Sequence, residues 1–468
     1  MDMIYQILDA PINPETLARH RQHKIVFESA TTSQTKGRYS VVAFDTYGEV
    51  TLTESNLEVK TPQHHFHETT APFEKLKAFV GDYHAMIDSD ELRALPFISG
   101  FMGYCSFDLV RHAFPMLQQY EAKETGHHDV HFYMIESVYV FDHYKEQIYV
   151  IVTNLFSGAS QAEMAARLQQ MIDEFDNIQL FETTEVPELP TKVIETNVDA
   201  DTFIAQVQQF KALIQRGDMF QVVPSRIYRY AHHFGSQRYA LTYQLYQKLK
   251  RNNPSPYMFY VNMGGPILVG SSPESFVKVK AGKVMTNPIA GTTKRGMTEE
   301  EDQRLAQILL NDEKELSEHR MLVDLGRNDI LRIAQPGTLQ LPKLMIIERY
   351  EHVMHIVSEV TGDVDPTLSP IDVIASLLPT GTVSGAPKLR AVQRIYENQP
   401  LKRGVYSGGV GYINCDHTLD LALAIRTMVI DEIFVNVEAG CGVVYDSIPE
   451  KELEETRLKA KSLLEVTL

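Results

Sequence analysis

The stretch that decides the fold runs from Gly404 to Val444 and reads GVYSGGVGYINCDHTLDLALAIRTMVIDEIFVNVEAGCGVV. Apolar residues, many of them β-branched, fill three runs at 405–413, 418–429 and 433–444, and turn residues separate the runs. Three consecutive strands without an intervening helix favour an antiparallel sheet. The stretch therefore predicts an α+β class rather than a doubly wound parallel sheet.

Helical and strand-like patterns alternate on both sides of this stretch. Apolar residues Phe203 to Ile214 recur at helical spacing, behind a predicted cap at Asp201 and before a stop at Gly217. Pro224 predicts an edge or a bulge in the strand that contains it. Further predicted helices lie near 239–251, 312–329, 385–398 and 450–464, and further strands near 221–230, 287–292 and 352–360.

Composition narrows the class of protein before any motif is considered. The 468 residues are 44% apolar and 22% charged, which is ordinary for a globular protein and excludes a disordered or fibrous chain. A net charge of −17 argues against nucleic acid and anionic membranes as partners. Three scattered cysteines exclude a disulfide scaffold, and neither a signal peptide nor an apolar run of membrane-spanning length is visible. We expect a soluble cytoplasmic protein.

One composition shift suggests how the chain is divided. FETTEVPELPTKVIETN, from Phe181 to Asn197, is rich in Thr, Glu and Pro and is predicted to be a linker. It separates an N-terminal region, 1–180, from a longer region, 198–468. The phosphate-loop, dinucleotide and H-E-x-x-H motifs are absent, so ATP, nicotinamide and catalytic zinc are not expected.

Paired glutamates are the strongest candidates for a metal site. Glu315 and Glu318 lie one turn apart on one predicted helix, and Glu452 and Glu455 repeat that spacing on the last helix. Two such helices could meet around Mg²⁺, which takes one or two protein carboxylates together with water and an anionic substrate. A solvated face, with Glu455 and Lys459 as an i,i+4 pair, remains the alternative.

Two further side chains point to anion binding or proton transfer. In the predicted strand 418–429, Arg426 shares a face with Asp420, Ala422 and Ala424, where a guanidinium beside small residues suits a carboxylate. An exposed sheet face would explain the same pattern. His355 lies on the apolar face of its strand, so a core histidine competes with a catalytic one. The glycines at 404, 408, 409, 411, 440 and 442 either form turns or let backbone N–H groups approach an anion.

Taken together, the segments resemble one family. NPIAGT, KELSEHRMLVDLGRND, HVMHIVSEV, GTVSGAPKLRA, GVYSGGVGYI and EETRLKAK match the chorismate-utilising enzymes in order, strongly over roughly 201–464 and more loosely before it. The resemblance implies an α+β fold of two packed, largely antiparallel β-sheets flanked by helices, with the active site between the sheets. Within the family, the match is best to the large subunits of anthranilate synthases.

The resemblance also assigns roles residue by residue. It implies that Glu318 and Glu455 bind Mg²⁺, with Glu315 and Glu452 behind them, and that Glu274 and His355 form the acid–base pair. The substrate-binding residues that it implies are Gly291, Thr292, Thr382, Tyr406, Arg426, Gly440, Gly442 and Lys459. In this chemistry ammonia attacks C2 of chorismate, the C4 hydroxyl leaves, and pyruvate is then eliminated to give anthranilate.

Two positions separate the branches of the family. Members that make 4-amino-4-deoxychorismate often carry a lysine nucleophile where this chain has Ala290, and members that add water typically carry a lysine base where it has Gln221. Both residues favour ammonia and anthranilate. Aminodeoxychorismate synthase of the folate pathway stays open, because that lysine is not universal. A non-catalytic, ligand-binding relative is the alternative from another class.

A regulatory site and a partner follow from the same resemblance. VFES (Val26–Ser29) and NPSPYM (Asn253–Met258) resemble the segments that bind tryptophan as a feedback inhibitor, although the family usually has leucine where Phe27 stands. The inhibitor-binding residues that it implies are Glu28, Ser29, Pro256, Tyr257 and Met258. No glutaminase block is visible, so we expect a separate glutamine amidotransferase subunit that supplies ammonia, in a heterotetramer with two copies of each chain.

Overall fold

The structure, a computed structural model, describes residues 1–10, 12–30, 37–178, 186–349, 353–466 and 468. The helices of these residues are α1 Pro14–Arg19, α2 Pro72–Asp82, α3 Asp90–Arg93, α4 Val110–Ala113, α5 Gln161–Asp173, α6 Ala200–Gln215, α7 Arg238–Asn252, α8 Glu299–Leu310, α9 Glu313–Leu331, α10 Pro370–Leu377, α11 Gly381–Ser384, α12 Lys388–Asn398 and α13 Pro449–Leu464. Short 3₁₀ helices lie at Phe107–Leu109, Pro115–Gln119, Glu174–Asn177 and Gly235–Gln237. No helix in the described ranges is long and apolar enough to cross a membrane.

The strands of the described residues group into two large sheets and one small ribbon. Their bounds are β1 Met3–Asp9, β2 Lys24–Glu28, β3 Tyr39–Ala43, β4 Gly48–Leu52, β5 Leu57–Lys60, β6 His65–Glu68, β7 Gly100–Cys105, β8 Val130–Ile135, β9 Ser137–Asp142, β10 Gln147–Thr153, β11 Glu195–Thr196, β12 Gln221–Val222, β13 Ser225–Ala231, β14 Tyr257–Asn262, β15 Ile267–Ser272, β16 Ser275–Lys280, β17 Lys283–Thr286, β18 Ile289–Lys294, β19 Gln340–Arg349, β20 Val353–Asp363, β21 Gly385–Ala386, β22 Gly409–Asn414, β23 Leu419–Leu423, β24 Thr427–Ile430 and β25 Phe434–Gly440.

Both large sheets are antiparallel, which confirms the predicted α+β class. The first runs β1-β10-β9-β3-β2-β14-β15-β24-β25-β13-β11, and the second runs β18-β20-β17-β16-β23-β22-β7-β8-β4-β5-β6, with β19 also on β20. Buried side chains such as Phe97, Met102, Phe259 and Leu268 fill a core that draws on strands of both sheets. The helices then cover the outer faces, as α2 and α10 do for the second sheet.

The N-terminal and C-terminal regions share both sheets. In the first sheet β2 pairs with β14, with Phe27 opposite Phe259, and in the second β7 pairs with β22. The predicted linker enters the fold as well, since β11 at its end pairs with β13. Residues 181–185 of that linker lie outside the described residues. The segment 181–197 is therefore a change in composition along the chain. Strands from before and after it are hydrogen-bonded to one another in the same sheets.

The predicted single strand 418–429 is wrong, and its break shapes the centre of the molecule. Residues Leu419–Leu423 pair with β22 and β16 in the second sheet, whereas Thr427–Ile430 pair with β15 and β25 in the first. The chain crosses between sheets at 424–426, and Arg426 has the left-handed φ of 51°. Period-two alternation stops at such a crossover, so the shared face predicted for Arg426 and Asp420 does not exist.

Other local predictions held with shifted ends. Helix α6 buries Phe203 to Ile214 as predicted, but Asp199 rather than Asp201 caps it. The strand around Pro224 divides into β12 and β13, which belong to different sheets, as proline's missing N–H donor favours. The strand predicted near 287–292 begins at Ile289 and carries a bulge at Gly291. The strand predicted to begin at 352 is described from Val353 onward, since 352 lies outside the described residues.

Candidate active site

The crossover between the sheets holds Arg426 in place. A positive φ at a non-glycine residue costs conformational free energy of order 1–3 kcal/mol, and such strain clusters at functional sites. The guanidinium donates from Nη1 to the Lys459 carbonyl oxygen (3.1 Å) and to Ser462 Oγ (3.4 Å). Burial lowers the pKa of Arg426, which Tyr406 and Glu455 oppose, and the group stays a cation at neutral pH.

Helix α13 lies beside Arg426 and brings both signs of charge to one face. Glu452, Glu455 and Lys459 follow at intervals of three and four, which stacks them along the helix. Lys459 Nζ donates to Glu455 Oε1 (2.6 Å) and to the Gly440 carbonyl oxygen (2.9 Å). The last helix is thereby tied to the end of β25.

Helix α9 supplies the second pair of glutamates. The Asp312 side chain caps its first turn by accepting from the Lys314 and Glu315 N–H groups, which fixes where Glu315 and Glu318 point. The pKa of Glu318 is raised, first by partial loss of water and then by the negative charges of Glu315 and Glu455. The charge of Glu455 on α13 therefore reaches Glu318 on α9, and the metal that the paired-glutamate hypothesis expects between them stays a prediction.

Glu452 bears on whether these carboxylates fit a cation. Its Oε2 is buried without a hydrogen-bond partner, and burial raises the pKa of the carboxyl. No three ligand atoms from these glutamates lie within 4.8 Å of one another in the described residues. Mg²⁺ does not need such a cage, because one or two carboxylates with water and substrate oxygens complete its shell. Glu318 and Glu455 offer oxygen donors of the kind that Mg²⁺ takes, and Lys459 is the cation already paired with one of them.

Small residues leave room beside Lys459. A Cβ on Gly440 would lie 2.7 Å from the Tyr406 hydroxyl, and one on Gly442 would lie 2.8 Å from Gln221 Nε2. Any larger residue would displace these side chains. Burial raises the pKa of Tyr406 to about 12, so its phenol stays protonated as a donor. The predicted residues Tyr406, Gly440 and Gly442 are thus in one place, next to Lys459.

Glu274 has the environment of a general acid. It follows β15, and its Oε1 accepts a hydrogen bond from Thr382 Oγ1 (2.8 Å). Burial raises its pKa to about 7, and the Thr382 hydroxyl and the charge of Lys459 oppose that rise only partly. Both residues line a cavity of about 50 Å³ whose opposite wall includes Leu322 and Gly326 of α9. Thr382 and Glu274 therefore face the helix that carries Glu318.

His355 lies at the border of this cluster. Its Nδ1 is 2.9 Å from Thr292 Oγ1 and 3.3 Å from the Gly291 carbonyl oxygen. Burial lowers its pKa, which keeps the imidazole neutral. The ring is half-buried, whereas Met354 and Ile356 on the opposite face of β20 are fully buried, so the core-histidine alternative does not describe it. Gly291, with φ of 73°, links the histidine to the glutamates, because a Cβ there would lie 3.1 Å from Glu315 Oε2.

Similarity to known proteins assigns the chain to a family. The family described as chorismate binding enzyme matches residues 22–465. The chain belongs to this family. It is 40% identical over 445 residues to anthranilate synthase component 1 of Lactococcus lactis subsp. lactis, covering 95% of this chain and 94% of that one. It is 36% identical to the protein of the same name from Acetivibrio thermocellus, over 98% and 93% of the two chains.

Solved structures agree with the family. Anthranilate synthase component I from Streptococcus pneumoniae TIGR4 superimposes with a TM-score of 0.80 at 37% identity, covering 91% of this chain and 92% of that one. The menaquinone-specific isochorismate synthase from Escherichia coli gives 0.72 at 18% identity, covering 99% and 94%, which shows a shared fold.

A second cavity in this family member lies away from the glutamates. The five predicted inhibitor-binding residues, Glu28, Ser29, Pro256, Tyr257 and Met258, all line one cavity of about 820 Å³, together with Phe27. They meet because β2 and β14 are neighbours, with Glu28 opposite Met258. The resemblance rests on two segments that are distant in sequence, Val26–Ser29 and Asn253–Met258. The pairing of β2 with β14 brings them together.

Glu28 is fully partnered within that cavity wall. Its side chain is 6% exposed, and it accepts hydrogen bonds from Lys250 Nζ (2.7 Å) and from the Tyr246 hydroxyl. Tyr257 donates to Asp420 Oδ1 (3.1 Å). The predicted residues are therefore held by others that the sequence analysis did not name, namely Lys250, Tyr246 and Asp420.

Gln221 separated branches of the family in the sequence, but it was not among the predicted site residues. It is buried next to Gly442, and its Oε1 has no hydrogen-bond partner. An unpaired buried acceptor costs free energy unless a ligand or water completes it. The available signal was its position in the strand where other members carry lysine.

Proposed function

We propose that this chain is the chorismate-using subunit of an anthranilate synthase, the first committed step of tryptophan biosynthesis. It would convert chorismate and ammonia into anthranilate, pyruvate and water in the presence of Mg²⁺. The observation that carries the proposal is the electrostatic influence of Glu455 of α13 on Glu318 of α9, with Lys459 hydrogen-bonded to Glu455. The kinship with component 1 proteins over nearly the whole chain supports it.

Substrate binding requires local positive charge in an acidic chain. Chorismate is a dianion, and Arg426, Lys459 and the N–H groups near Gly291 and Gly440 are the donors that could hold its carboxylates. Glu318 and Glu455 would hold Mg²⁺, with Glu315 and Glu452 behind them. When bound, the ion would neutralise the ring carboxylate and withdraw electrons from the ring.

The resemblance implies Glu274 as the acid and His355 as the base, and the directions of their pKa shifts support those roles. A carboxyl group with a pKa near 7 keeps a substantial protonated fraction at neutral pH, so Glu274 can protonate the departing C4 oxygen. A lowered pKa keeps His355 unprotonated, and a neutral imidazole can accept the C2 proton as pyruvate leaves. Gln221 is a neutral amide that cannot activate water as a base, and Ala290 carries no nucleophile, so both positions favour ammonia as the nucleophile.

The partner and the inhibitor complete the proposal. A glutamine amidotransferase subunit would supply ammonia, in a cytoplasmic heterotetramer. Tryptophan would occupy the cavity of about 820 Å³ beside Ser29, Pro256 and Met258. Aminodeoxychorismate synthase component I, which also takes chorismate and ammonia, is the second candidate, because the lysine nucleophile is not universal in that branch.

The purified chain incubated with chorismate, ammonium and Mg²⁺ should give anthranilate fluorescence and an equal amount of pyruvate. Accumulation of 4-amino-4-deoxychorismate without pyruvate would show instead that the chain is an aminodeoxychorismate synthase of folate biosynthesis. Turnover that is the same in wild type and in Glu318→Ala would contradict the metal assignment. Absence of any product would revive the non-catalytic alternative.

A further inference from the structure

A hairpin at the far edge of the second sheet carries two histidines and a glutamate on one face. Strand β6 is the last strand of that sheet, and β18, next to the active-site glutamates, is the first. Glu58 of β5 lies opposite His67, and Lys60 lies opposite His65. His65 and His67 are two residues apart on one strand, so their rings project to the same side.

The three side chains converge on one point. His65 Nε2 is 2.8 Å from Glu58 Oε1, and His67 Nε2 is 3.5 Å from the same oxygen. Their ring centroids are 4.7 Å apart. Within the described ranges this is the one group of three or more histidine, cysteine or carboxylate ligand atoms that all lie within 4.8 Å of one another.

These separations match the edges of a zinc coordination polyhedron. Bonds of about 2.0–2.1 Å in tetrahedral geometry put ligand atoms about 3.3 Å apart, and the two nitrogen-to-oxygen distances lie on either side of that value. Imidazole nitrogen with one carboxylate oxygen suits zinc and its transition-metal neighbours, whereas Mg²⁺ prefers oxygen alone.

The surroundings leave the ligands both accessible and oriented. The imidazole side chains are 52% and 55% exposed, so an ion and a water molecule can reach their nitrogens. The Glu58 side chain is only 19% exposed, and Lys60 Nζ holds its other oxygen, Oε2, at 3.1 Å. That ion pair orients the carboxylate with Oε1 toward the histidines.

We propose that Glu58, His65 and His67 form a binding site for one zinc-type divalent ion, with water as the fourth ligand. The site is separate from the glutamates of α9 and α13 and does not depend on the proposed catalytic function. Bound metal would join β5 to the exposed edge strand β6 and so occupy an edge that is otherwise open to pairing with another chain.

The test uses the full chain without a polyhistidine tag, in a buffer with excess Mg²⁺ to occupy oxygen-ligand sites. Titration with Zn²⁺ in a calorimeter, and with Co²⁺ by visible absorption, should show one site with imidazole ligation. His65→Ala and His67→Ala should each weaken binding about tenfold or more, because losing even an indirect partner of a metal ligand costs about 10–100-fold.

His64→Ala is the matched control, since His64 is the neighbouring exposed histidine outside the cluster. Circular dichroism spectra should show that each variant folds. Equal Zn²⁺ affinity in the wild type and in the His65→Ala, His67→Ala double variant would overturn the proposal. Equal weakening by His64→Ala would overturn it too, because the binding would then be that of scattered surface histidines.

Discussion

The cavity around Glu28 and the cleft around Glu274 both remove a carboxylate from water, and they do so in opposite ways. Lys250 and Tyr246 bond both oxygens of Glu28, so its charge is compensated within the fold. Glu274 has Thr382 as its hydrogen-bond donor and a more distant Lys459, and its pKa rises to about 7. The fold itself compensates the charge of Glu28, whereas it leaves the carboxyl group of Glu274 with a raised pKa.

The same contrast extends to the neighbouring glutamates. The pKa values of Glu318 and Glu452 are raised, with Glu455 contributing to both, and Glu452 Oε2 is unpaired. Like charges held together weaken the folded state unless a cation joins them. Contacts such as those of Glu28 stabilise the folded state by themselves. A catalytic site destabilises the folded state, and the binding of substrate and metal offsets that destabilisation.

The largest expected effect is at Glu274. Glu274→Gln should lower kcat by about 10²–10⁴-fold, because glutamine cannot donate the proton. The wild-type rate should fall as the pH rises through about 7, where the acid ionises, and the variant should lack that limb of the profile. Initial rates of anthranilate formation between pH 6 and 9 measure both.

The same variant should be more stable than the wild type at pH 8. The folded pKa of Glu274 is raised above its ordinary 4.5, so its contribution to stability is lost as the pH rises toward about 7. Urea unfolding at pH 5.5 and pH 8 should show a gain for Glu274→Gln that grows with pH. Glu188→Gln, an exposed site, is the control. If Glu274→Gln lost stability at pH 8, burial would not raise the pKa of Glu274 as described.

Glu318→Gln should lower turnover at limiting Mg²⁺ by about 100-fold, equivalent to about 3 kcal/mol of metal-dependent stabilisation. The amide keeps the size of the side chain and removes the charge that draws the cation. Raising Mg²⁺ should recover part of the rate, and removing it with a chelator should stop the wild type. Glu313→Gln, an exposed acid on the same helix, should match the wild type in a Mg²⁺ titration.

Lys250→Ala should act on stability in the direction opposite to Glu274→Gln. Glu28 would keep a buried charge without its cation, which we expect to lower the free energy of unfolding by about 1–3 kcal/mol. Urea unfolding measures the change, with Lys248→Ala on the same helix as the control. If Lys250→Ala leaves the midpoint unchanged, Glu28 is not stabilised in the way that its contacts indicate.

Ser29→Ala should have the smallest effect and should be confined to regulation. Loss of one hydrogen bond, about 0.5–1.5 kcal/mol, should weaken tryptophan inhibition by about 2- to 10-fold. Uninhibited turnover should not change, since Ser29 lines the other cavity. Inhibition curves for wild type, Ser29→Ala and the exposed Ser55→Ala provide the measurement. Identical curves for all three would remove Ser29 from the inhibitor site.

Much of the site could be predicted because local patterns carried it. The i,i+3 spacing on α9 and α13 predicted that each helix presents two carboxylates, and Pro224 predicted an irregularity where the strand divides into β12 and β13. Arg426 was found for the wrong reason, since alternation placed it on a strand face and the structure puts it at a crossover between sheets. A period-two pattern of apolar residues does not predict where a chain passes from one sheet to another.

The sequence by itself determined the class of the fold, the family and the charged residues on each helix, because these depend on periodicity and ordered motifs along the chain. Only the tertiary structure decided which charges meet: Glu318 with Glu455, Glu28 with Lys250, and Glu58 with two histidines. The reason is physical. Burial and distance set the strength of an electrostatic interaction, and both arise only when distant segments pack together.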